Sequence, residues 1–343
     1  MLPILPCLQR LGRKMETSNW TTEIMQHSGS PVEWDRFVDH SPQGCIFCKS
    51  WWLEAAAPGA WQVVVVRGSQ GILAGLPFTT ARVRGSLEIR MPQLTQTLGP
   101  LFAPPTGDKY TANLSTEMEL LKRRVDGLPS FRRASIRCHP NLTNWLPFYW
   151  AGFNQTSRFT YSLEDLASLD QVWQGMESTT RGKIRKAEKS GIRIVETLDI
   201  DQFLTLNRKT FERQGKGLPY PVELVHRLDR VCATHNARRI YLAQDEQGRT
   251  HSALYVVFDQ TCMYNLMQGG DPDLRSSGAN LLAMWHSIQF ASTVTQRYDF
   301  EGSMLPNVEP VFRSFGSVQK PYFVLSKDNR GWLAKCIAIA QTT

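Results

Sequence analysis

The chain has no run of roughly 20 apolar residues, the length that a helix needs to cross a bilayer. With 42% hydrophobic and 20% charged residues, its composition is that of a soluble globular protein. An integral membrane protein is therefore not expected. The N-terminal MLPILPCLQRLGRK is a poor signal peptide, because two prolines interrupt its apolar patch and the charges follow it. It is interpreted as a leader or a misplaced start, with Met1, Met15 and Met25 as alternative starts.

The sequence also lacks several motifs that carry chemistry. No GxSxG is present, so nothing supports a Ser-His hydrolase. Cys45 and Cys48 form a lone CxxC, which no second pair or His cluster completes, so no metal site is expected. The seven cysteines are odd in number and scattered, as in a protein with reduced thiols. This pattern favours a cytoplasmic location.

Positive charge is in excess. The net charge of +8 and the pI of about 9.2 favour anionic partners, namely phosphates, nucleotides, nucleic acid or an anionic lipid surface. Peripheral membrane contact is thus one interpretation. A DNA-binding module is disfavoured, because the basic residues are not interleaved with exposed aromatics and no recognition motif occurs.

Hydrophobic periodicity can be followed closely from Gly191 onward. IRIVE predicts a strand, and two amphipathic helices follow it on either side of the breaker QGKGLP. Three strands come next, RRIYLAQ, HSALYVVFD and CMYNLMQ, separated by the turns DEQG and DQT. The helix Ala279 to Ala291, the strand YDF, the helix VEPVFRSF and the strand PYFVL complete the order.

The first half repeats this order approximately. Helices near Val32 to Val38 and Cys45 to Ala57 precede the strands WQVVVV, ILAGLPF and SLEIRM. A helix near Ser115 to Arg124 and two further strands follow, RRASIRC and one near Arg158 to Ser162. A length of 343 residues suits two domains. We therefore predict an α/β (α+β) fold with domains at residues 25–160 and 161–330.

The segment Tyr298 to Gly316, YDFEGSMLPNVEPVFRSFG, is the most informative part of the chain. A short apolar strand ends in a polar turn that holds Asp299 and Glu301. Charged groups at the end of a buried strand are costly to desolvate, so they usually mark a ligand crevice. Since the two residues are two apart, an unbulged strand would place both carboxylates on one face.

Three motifs carry a family resemblance: RGKIRKA (residues 181–187), YDFEGS (residues 298–303) and FRSFG (residues 312–316). Together they resemble the FemAB-like branch of the GNAT acyltransferase superfamily, including bacterial proteins labelled BioF-like. The resemblance implies two tandem GNAT-like domains, each a mixed, mostly antiparallel sheet flanked by helices. It further implies a degenerate N-terminal domain on the acceptor side and a C-terminal domain that binds the donor and catalyses the reaction.

The activity implied is acyl transfer from acyl-CoA, such as acetyl-CoA, to an amine of a small molecule, a peptide or a cell-envelope precursor. An alternative within the superfamily uses aminoacyl-tRNA as the donor, which would make tRNA a partner. A further alternative is a non-catalytic, degenerate pair of GNAT domains that acts as a scaffold.

In this family a loop before a helix holds the pyrophosphate of the donor. The corresponding loop here reads Arg275, Ser276, Ser277, Gly278, Ala279 and Asn280. A helix N-terminus offers unpaired amides and a positive dipole end, and glycine allows a close approach. Asn280 departs from the small residue usual in the family. A plain helix start capped by Ser276 or Ser277 is the alternative interpretation.

Other cations are candidates for phosphate binding. Arg181, Arg185 and Lys189 fall on one face of a basic helix, for which a solvated face is the default. The resemblance implies that Arg213 meets the phosphates of an acceptor. It also places Arg313 where related transferases carry a Lys that supports the acyl group. Arginine stays protonated, so Arg313 can bind charge but cannot act as a base.

Amine acylation needs a base for the ammonium proton and donors for the developing negative charge. Glu301 is predicted as the base and Asp299 as its orienting partner. Tyr264 and Gln268 are predicted as hydroxyl and amide donors, with an ordinary core aromatic as the alternative for Tyr264. The acceptor pocket is expected in two loops, Gln214 to Pro221 and Pro92 to Lys109.

Overall fold

The computed structural model describes residues 19–26 and 31–330. Its strands form one mixed, mostly antiparallel sheet of 13 strands. The early start positions, the leader, Cys7 and Cys336 lie outside the described residues. The strands are β1 (Thr21–Gln26), β2 (Trp61–Gly68), β3 (Gly71–Val83), β4 (Ser86–Arg90), β5 (Leu101–Phe102), β6 (Arg133–Arg137), β7 (Asn154–Leu163), β8 (Arg193–Thr197), β9 (Arg238–Gln244), β10 (Thr250–Phe258), β11 (Cys262–Gly270), β12 (Arg297–Asp299) and β13 (Val318–Asp328).

The order of the strands in the sheet is a near palindrome. It runs β1-β2-β3-β4-β6-β13-β7-β12-β11-β10-β9-β8, with β5 beside β3. The long antiparallel pair β7 and β13 lies at the centre. On each side of it comes one parallel pair, β4 with β6 and β11 with β12, and antiparallel strands continue to the edge. This symmetry confirms the tandem architecture.

Helices cover both faces of the sheet and bury most of the apolar residues. The first core lies among α1, α2, α7 and α8. The second lies among α5, α6, α9 and α10, and the third lies under α3 and α4. The helices are α1 (Pro31–His40), α2 (Ser50–Ala56), α3 (Tyr110–Asp126), α4 (Leu146–Trp150), α5 (Leu169–Gly175), α6 (Ser178–Lys189), α7 (Ile200–Glu212), α8 (Val222–Thr234), α9 (Ala279–Val294) and α10 (Glu309–Arg313).

The two halves share a hydrophobic core. Trp52 of α2 and Phe203 of α7 belong to the same buried cluster, and the Arg227 Nε of α8 donates to the Ala55 carbonyl of α2 at 3.0 Å. Strand β13, the last of the chain, pairs with β6 of the first half. The predicted boundary between residues 160 and 161 falls inside β7, and the division into two domains stays a prediction.

Most predicted elements are present, with two corrections. The helix expected at Cys45 to Ala57 is broken into a 3-10 turn, Ile46–Cys48, and α2, because the backbone of Lys49 between them is extended. The strand expected at YDF ends one residue early, at Asp299. Strand β1 and the short helices α4 and α5 were not predicted.

Within the described ranges, no helix is long and apolar enough to cross a membrane. The five cysteines in these ranges are free and buried. No cluster of three His, Cys, Asp or Glu side chains that could hold a metal ion is found in this part of the chain.

Candidate active site

The site is organised by the separation of β11 from β12. Their parallel pairing extends only from Cys262–Arg297 to Tyr264–Asp299. Strand β11 then continues to Gly270, whereas the chain leaves the sheet after Asp299. The register of β11 against β10 also shifts between Tyr255 and Val257, as at a β-bulge. An open wedge therefore begins beside Tyr264.

Several buried polar atoms on β10, β11 and the turn after β12 have no hydrogen-bond partner within the described residues. They include the Tyr264 hydroxyl, both amide atoms of Asn265, His251 Nδ1 and Glu301 Oε1. Such atoms are rare in folded proteins because each costs desolvation free energy, and an absent ligand is one of the usual reasons for them. Asn265 and His251 were not predicted as site residues. An asparagine inside the apolar run CMYNLMQ was the signal available for the first.

Two carboxyl groups line a narrow cavity of about 30 Å³, enough for one or two waters. We call it the carboxyl cavity. The C-terminal half contributes Asp299, Glu301 and Tyr264 to its wall, and the N-terminal half contributes Gln96 and His139. The structure therefore brings the three predicted catalytic residues to one cavity. Residues of the N-terminal half complete its wall, and the sequence pattern did not predict this contribution.

Glu301 reaches this cavity through a turn rather than along the strand. Its φ of +59° lies in the left-handed region, as does that of Gly302. The Glu301 amide donates to Asp299 Oδ1 at 2.6 Å, which fixes the turn. A Cβ on Gly302 would lie 2.2 Å from the Phe159 carbonyl oxygen, so only glycine fits here. The expected continuous strand is thus wrong, although both carboxyl groups still share one cavity.

Burial raises the pKa of both carboxyl groups. The pKa of Asp299 is raised to about 6, and the Thr160 hydroxyl and the Glu301 amide, which donate to it, oppose this effect. Burial raises the pKa of Glu301 well above its ordinary value. The side-chain amide of Gln96, which donates to Glu301 Oε2, lowers this pKa, and the nearby charge of Asp299 raises it. Both carboxyl groups therefore bind a proton more tightly than exposed carboxyl groups do.

The cavity also contains cations and a neutral imidazole. Arg297 and Lys320 line it, and Lys320 is ion-paired with Glu164. Burial lowers the pKa of His139 to about 3, and the charges of Arg297 and Lys320 add to this effect. His139 is accordingly neutral, and its Nδ1 accepts a hydrogen bond from the Asn141 amide at 3.1 Å.

A larger crevice of about 530 Å³ lies at the far end of β11. We call it the basic crevice. Among its lining residues are Gln268, Arg213 at the end of α7, and the turn Arg275–Ser277 that precedes α9. Ala279, the first residue of α9, completes this wall. The predicted phosphate loop thus borders a real cavity.

Gly278 fixes the geometry of this loop. Its φ of +78° is left-handed, and a Cβ at this position would lie 2.9 Å from the Lys183 carbonyl oxygen of α6. The α9 helix starts directly after it, so the positive end of the helix dipole lies beside the crevice, which Ala279 and Asn280 line. Ser277 Oγ accepts from the Ala279 amide at 3.3 Å, so the predicted serine cap coexists with the crevice.

Three predicted cations lie outside both cavities. The Arg181 guanidinium donates to the carbonyls of Trp173, Gln174 and Met176 and so closes the C-terminal end of α5. Arg185 lies over the Trp173 ring at 5.3 Å. Arg313 is exposed, and its Nε donates to Glu309 Oε1 at 2.9 Å. Their observed contacts are structural, and their predicted phosphate binding stays a prediction.

Comparisons with known proteins agree with this geometry. Residues 175–304 match the family described as acetyltransferase (GNAT) domain. No curated protein matches the sequence.

Solved structures share the whole fold at low sequence identity. FemX superposes with a TM-score of 0.65 at 14% identity, over 88% of this chain and 96% of its own. A tandem GNAT protein from the clavulanic acid biosynthesis pathway gives 0.53 at 11% identity, over 91% and 99%. L-PGS from Bacillus licheniformis gives 0.50 at 11% identity, over 92% and 97%. Residues 175–304 thus match the model of a GNAT acetyltransferase domain, and nearly the whole chain shares its fold with FemX and a tandem GNAT protein.

Proposed function

We propose that the protein is an N-acyltransferase that transfers an acyl group from an acyl-CoA to an amine. One observation carries the proposal: strand β11 runs from the carboxyl cavity to the basic crevice, and beyond Tyr264 it no longer pairs with β12. Tyr264 at the start of β11 lines the carboxyl cavity, and Gln268 near its end lines the basic crevice. A donor whose phosphates lie in the basic crevice can direct its thioester along the wedge towards the carboxyl groups.

The basic crevice suits the phosphates of the donor. Arg213 and Arg275 supply positive charge, and the positive end of the α9 dipole lies beside them. Charge-assisted hydrogen bonds to phosphate are stronger than neutral ones, so this arrangement favours a dianionic or polyanionic group.

The carboxyl cavity suits the amine. The amine arrives as an ammonium ion and first gives one proton to Asp299 or Glu301. The neutral nitrogen then attacks the thioester carbon, a C–N bond forms, the C–S bond breaks, and the departing thiolate takes the second proton from nitrogen. Asp299, whose pKa of about 6 leaves it ionised near neutral pH, is proposed as the base, with Glu301 beside it in the cavity as the alternative.

The acceptor would enter where the two halves meet. The side-chain amide of Gln93, in the predicted acceptor loop Pro92 to Lys109, donates to the carbonyl of Pro219, in the other predicted loop, at 2.8 Å. These loops therefore touch each other across the halves, which supports an acceptor pocket built by both. A small molecule, a peptide or a cell-envelope precursor with a free amine is the class of acceptor proposed.

Ligand-dependent stability tests the donor. Acetyl-CoA at 100 times its Kd should stabilise the native chain by about 2.7 kcal/mol and raise the thermal midpoint, because a ligand that binds only the folded state shifts the equilibrium. Release of free CoA in the presence of an amine mixture then reports the transfer. A chain that acetyl-CoA does not stabilise would refute the proposed donor.

Aminoacyl-tRNA is the second candidate donor, and a specific feature favours it. Helix α6 contacts the Arg275–Ser277 turn, and its Lys183, Arg185 and Lys186 side chains are exposed beside the basic crevice. A polyanion larger than CoA would engage this face with a strong dependence on salt. Stabilisation by aminoacyl-tRNA but not by acetyl-CoA would support this alternative. Stabilisation by neither would support the non-catalytic scaffold.

A further inference from the structure

Arg297 is a residue of the carboxyl cavity that the proposed proton transfer does not use. It lies on β12, is half-buried, and lines the cavity together with Asp299 and Glu301. Its side chain forms no hydrogen bond and no ion pair with another described residue, whereas Lys320, the other cation of the cavity, is paired with Glu164. A half-buried guanidinium without a partner is costly, and an anionic ligand would complete its hydrogen bonds.

The charge of Arg297 acts inside this cavity. Burial is the main cause of the shifted pKa values of His139 and Asp299, and the positive charge of Arg297 lowers both pKa values. His139 belongs to the N-terminal half of the chain and Asp299 to the C-terminal half, and both line the cavity. The guanidinium is therefore near both walls.

Positive and negative groups lie close together in the cavity. Arg297 and Asp299 are two residues apart on β12, so their side chains leave the strand on the same face, roughly 7 Å apart. Neither Asp299 nor Glu301 has a salt-bridge partner in the described part of the chain. A ligand that satisfies both signs of charge carries an ammonium group and an anion close to each other, as an α-amino acid does.

The size of the cavity limits the kind of anion. A volume of about 30 Å³ admits only a small polar end of a ligand, so the rest of the acceptor has to remain outside it. A carboxylate is planar and accepts two parallel hydrogen bonds from a guanidinium, whereas a phosphate is bulkier. The cavity therefore favours a carboxylate.

We propose that the acceptor is a free α-amino acid, whose carboxylate binds Arg297 while its amine faces Asp299 and Glu301. The inference rests on the proposed function, because it names the acceptor of the same transfer. The ammonium group gives one proton to a carboxyl group and a second to the departing thiolate, and its nitrogen forms the C–N bond to the acyl carbon as the C–S bond breaks. The products are the N-acyl amino acid and free CoA, and the carboxyl group returns its proton to solvent.

Release of CoA from acetyl-CoA by the full chain tests the inference, with each standard L-amino acid and with the corresponding amino-acid amide as acceptors. The amide keeps the amine and the side chain but lacks the negative charge. For the preferred side chain, kcat/KM should be roughly 10- to 100-fold higher for the amino acid than for its amide, the range for a lost hydrogen bond to a charged group.

Variants of Arg297 test whether this residue causes the preference. Arg297→Gln should remove most of it, because glutamine can donate a hydrogen bond but carries no charge. Arg297→Lys should retain part of it, since lysine keeps the charge but not the two parallel donors. Arg82→Gln is the matched control and should behave as the parent does, because Arg82 also lies on a strand, β3, but is exposed and lines neither cavity. A thermal melt of each variant confirms that it is folded.

The outcomes separate the two proposals. Failure of acetyl-CoA to stabilise the parent protein overturns the proposed donor and this inference with it. Stabilisation by acetyl-CoA without turnover of any amino acid overturns only the acceptor inferred here, and so does equal turnover of amino acids and amides. A loss in Arg297→Gln that is equal for both kinds of acceptor also overturns it, since an arginine that acts only on Asp299 would give that result.

Discussion

At the scale of residues, the proposed function assigns the proton transfer to the two buried carboxyl groups of the carboxyl cavity. If Asp299 or Glu301 accepts the proton of the amine, Glu301→Gln and Asp299→Asn should each lower turnover by roughly 10²–10⁴-fold with little change in CoA affinity. The larger loss identifies the base. Steady-state kinetics with calorimetry on each variant gives the comparison, and normal turnover in both would remove the pair from the mechanism.

The pH dependence follows from the raised pKa of Asp299. The ionised carboxylate is the form that accepts a proton, and the pKa is about 6, so the rate should fall as the pH drops through 6. In Asp299→Asn this decline should disappear from the pH–rate profile. A parent profile that is flat between pH 5 and pH 7 would contradict the assignment.

Stability should change in the opposite direction. The pKa of Asp299 is raised in the folded protein, so the folded state binds this proton more tightly, and stability falls as the pH rises from about 4 through about 6. Above this window Asp299→Asn should be more stable than the parent, by roughly 1–3 kcal/mol, and at pH 4 the difference should be small. Thermal melts at pH 4 and pH 8 measure it. Asp299 would then be a residue that costs stability for the sake of function.

At the scale of elements, the loop before α9 depends on one glycine. Gly278→Val should weaken CoA binding by about 1–3 kcal/mol, because a side chain would collide with the Lys183 carbonyl and displace the loop amides. Gly59→Val is the matched control, since Gly59 also has a positive φ, of +64°, but nothing within 4 Å of its Cβ position. Equal affinity for CoA in the Gly278 variant and the control would contradict the loop as a phosphate site.

At the scale of the whole molecule, both halves of the chain line the carboxyl cavity. Gln96 of the N-terminal half donates to Glu301 of the C-terminal half. Gln96→Leu removes this donor and raises the pKa of Glu301 further, so turnover should fall while CoA affinity stays unchanged. Kinetics and calorimetry on this variant test the coupling, and unchanged turnover would show that the N-terminal half contributes only packing.

The symmetry of the sheet does not extend to donor binding. The segment between β4 and α3 occupies the place of the phosphate loop in the first half, and it carries Pro100, Pro104 and Pro105, which lack amides. The Leu101 carbonyl in this segment instead accepts from the buried Arg124 at 2.6 Å. Calorimetry should give one CoA per chain, and two equivalent sites would refute this expectation.

The sequence by itself determined the order of most elements, the tandem fold and the position of the loop before α9. Periodic apolar residues define α7, α8 and the strands β9 to β11 almost to the residue, because each buries one face or runs through the core. Gly278 could be recognised because a close backbone approach requires glycine at a helix start. These features depend on neighbours along the chain, which the sequence shows directly.

The tertiary structure alone decided where the carboxyl groups lie, how deeply they are buried and which polar groups contact them. Gln96 lies 205 residues from Glu301 in sequence, and His251 lines the crevice only because the start of β10 pairs with the end of β11. No local pattern reports such contacts, since they depend on the order of strands and on the packing of one half against the other. The raised pKa of Asp299 has the same origin, because burial is a property of the assembled fold.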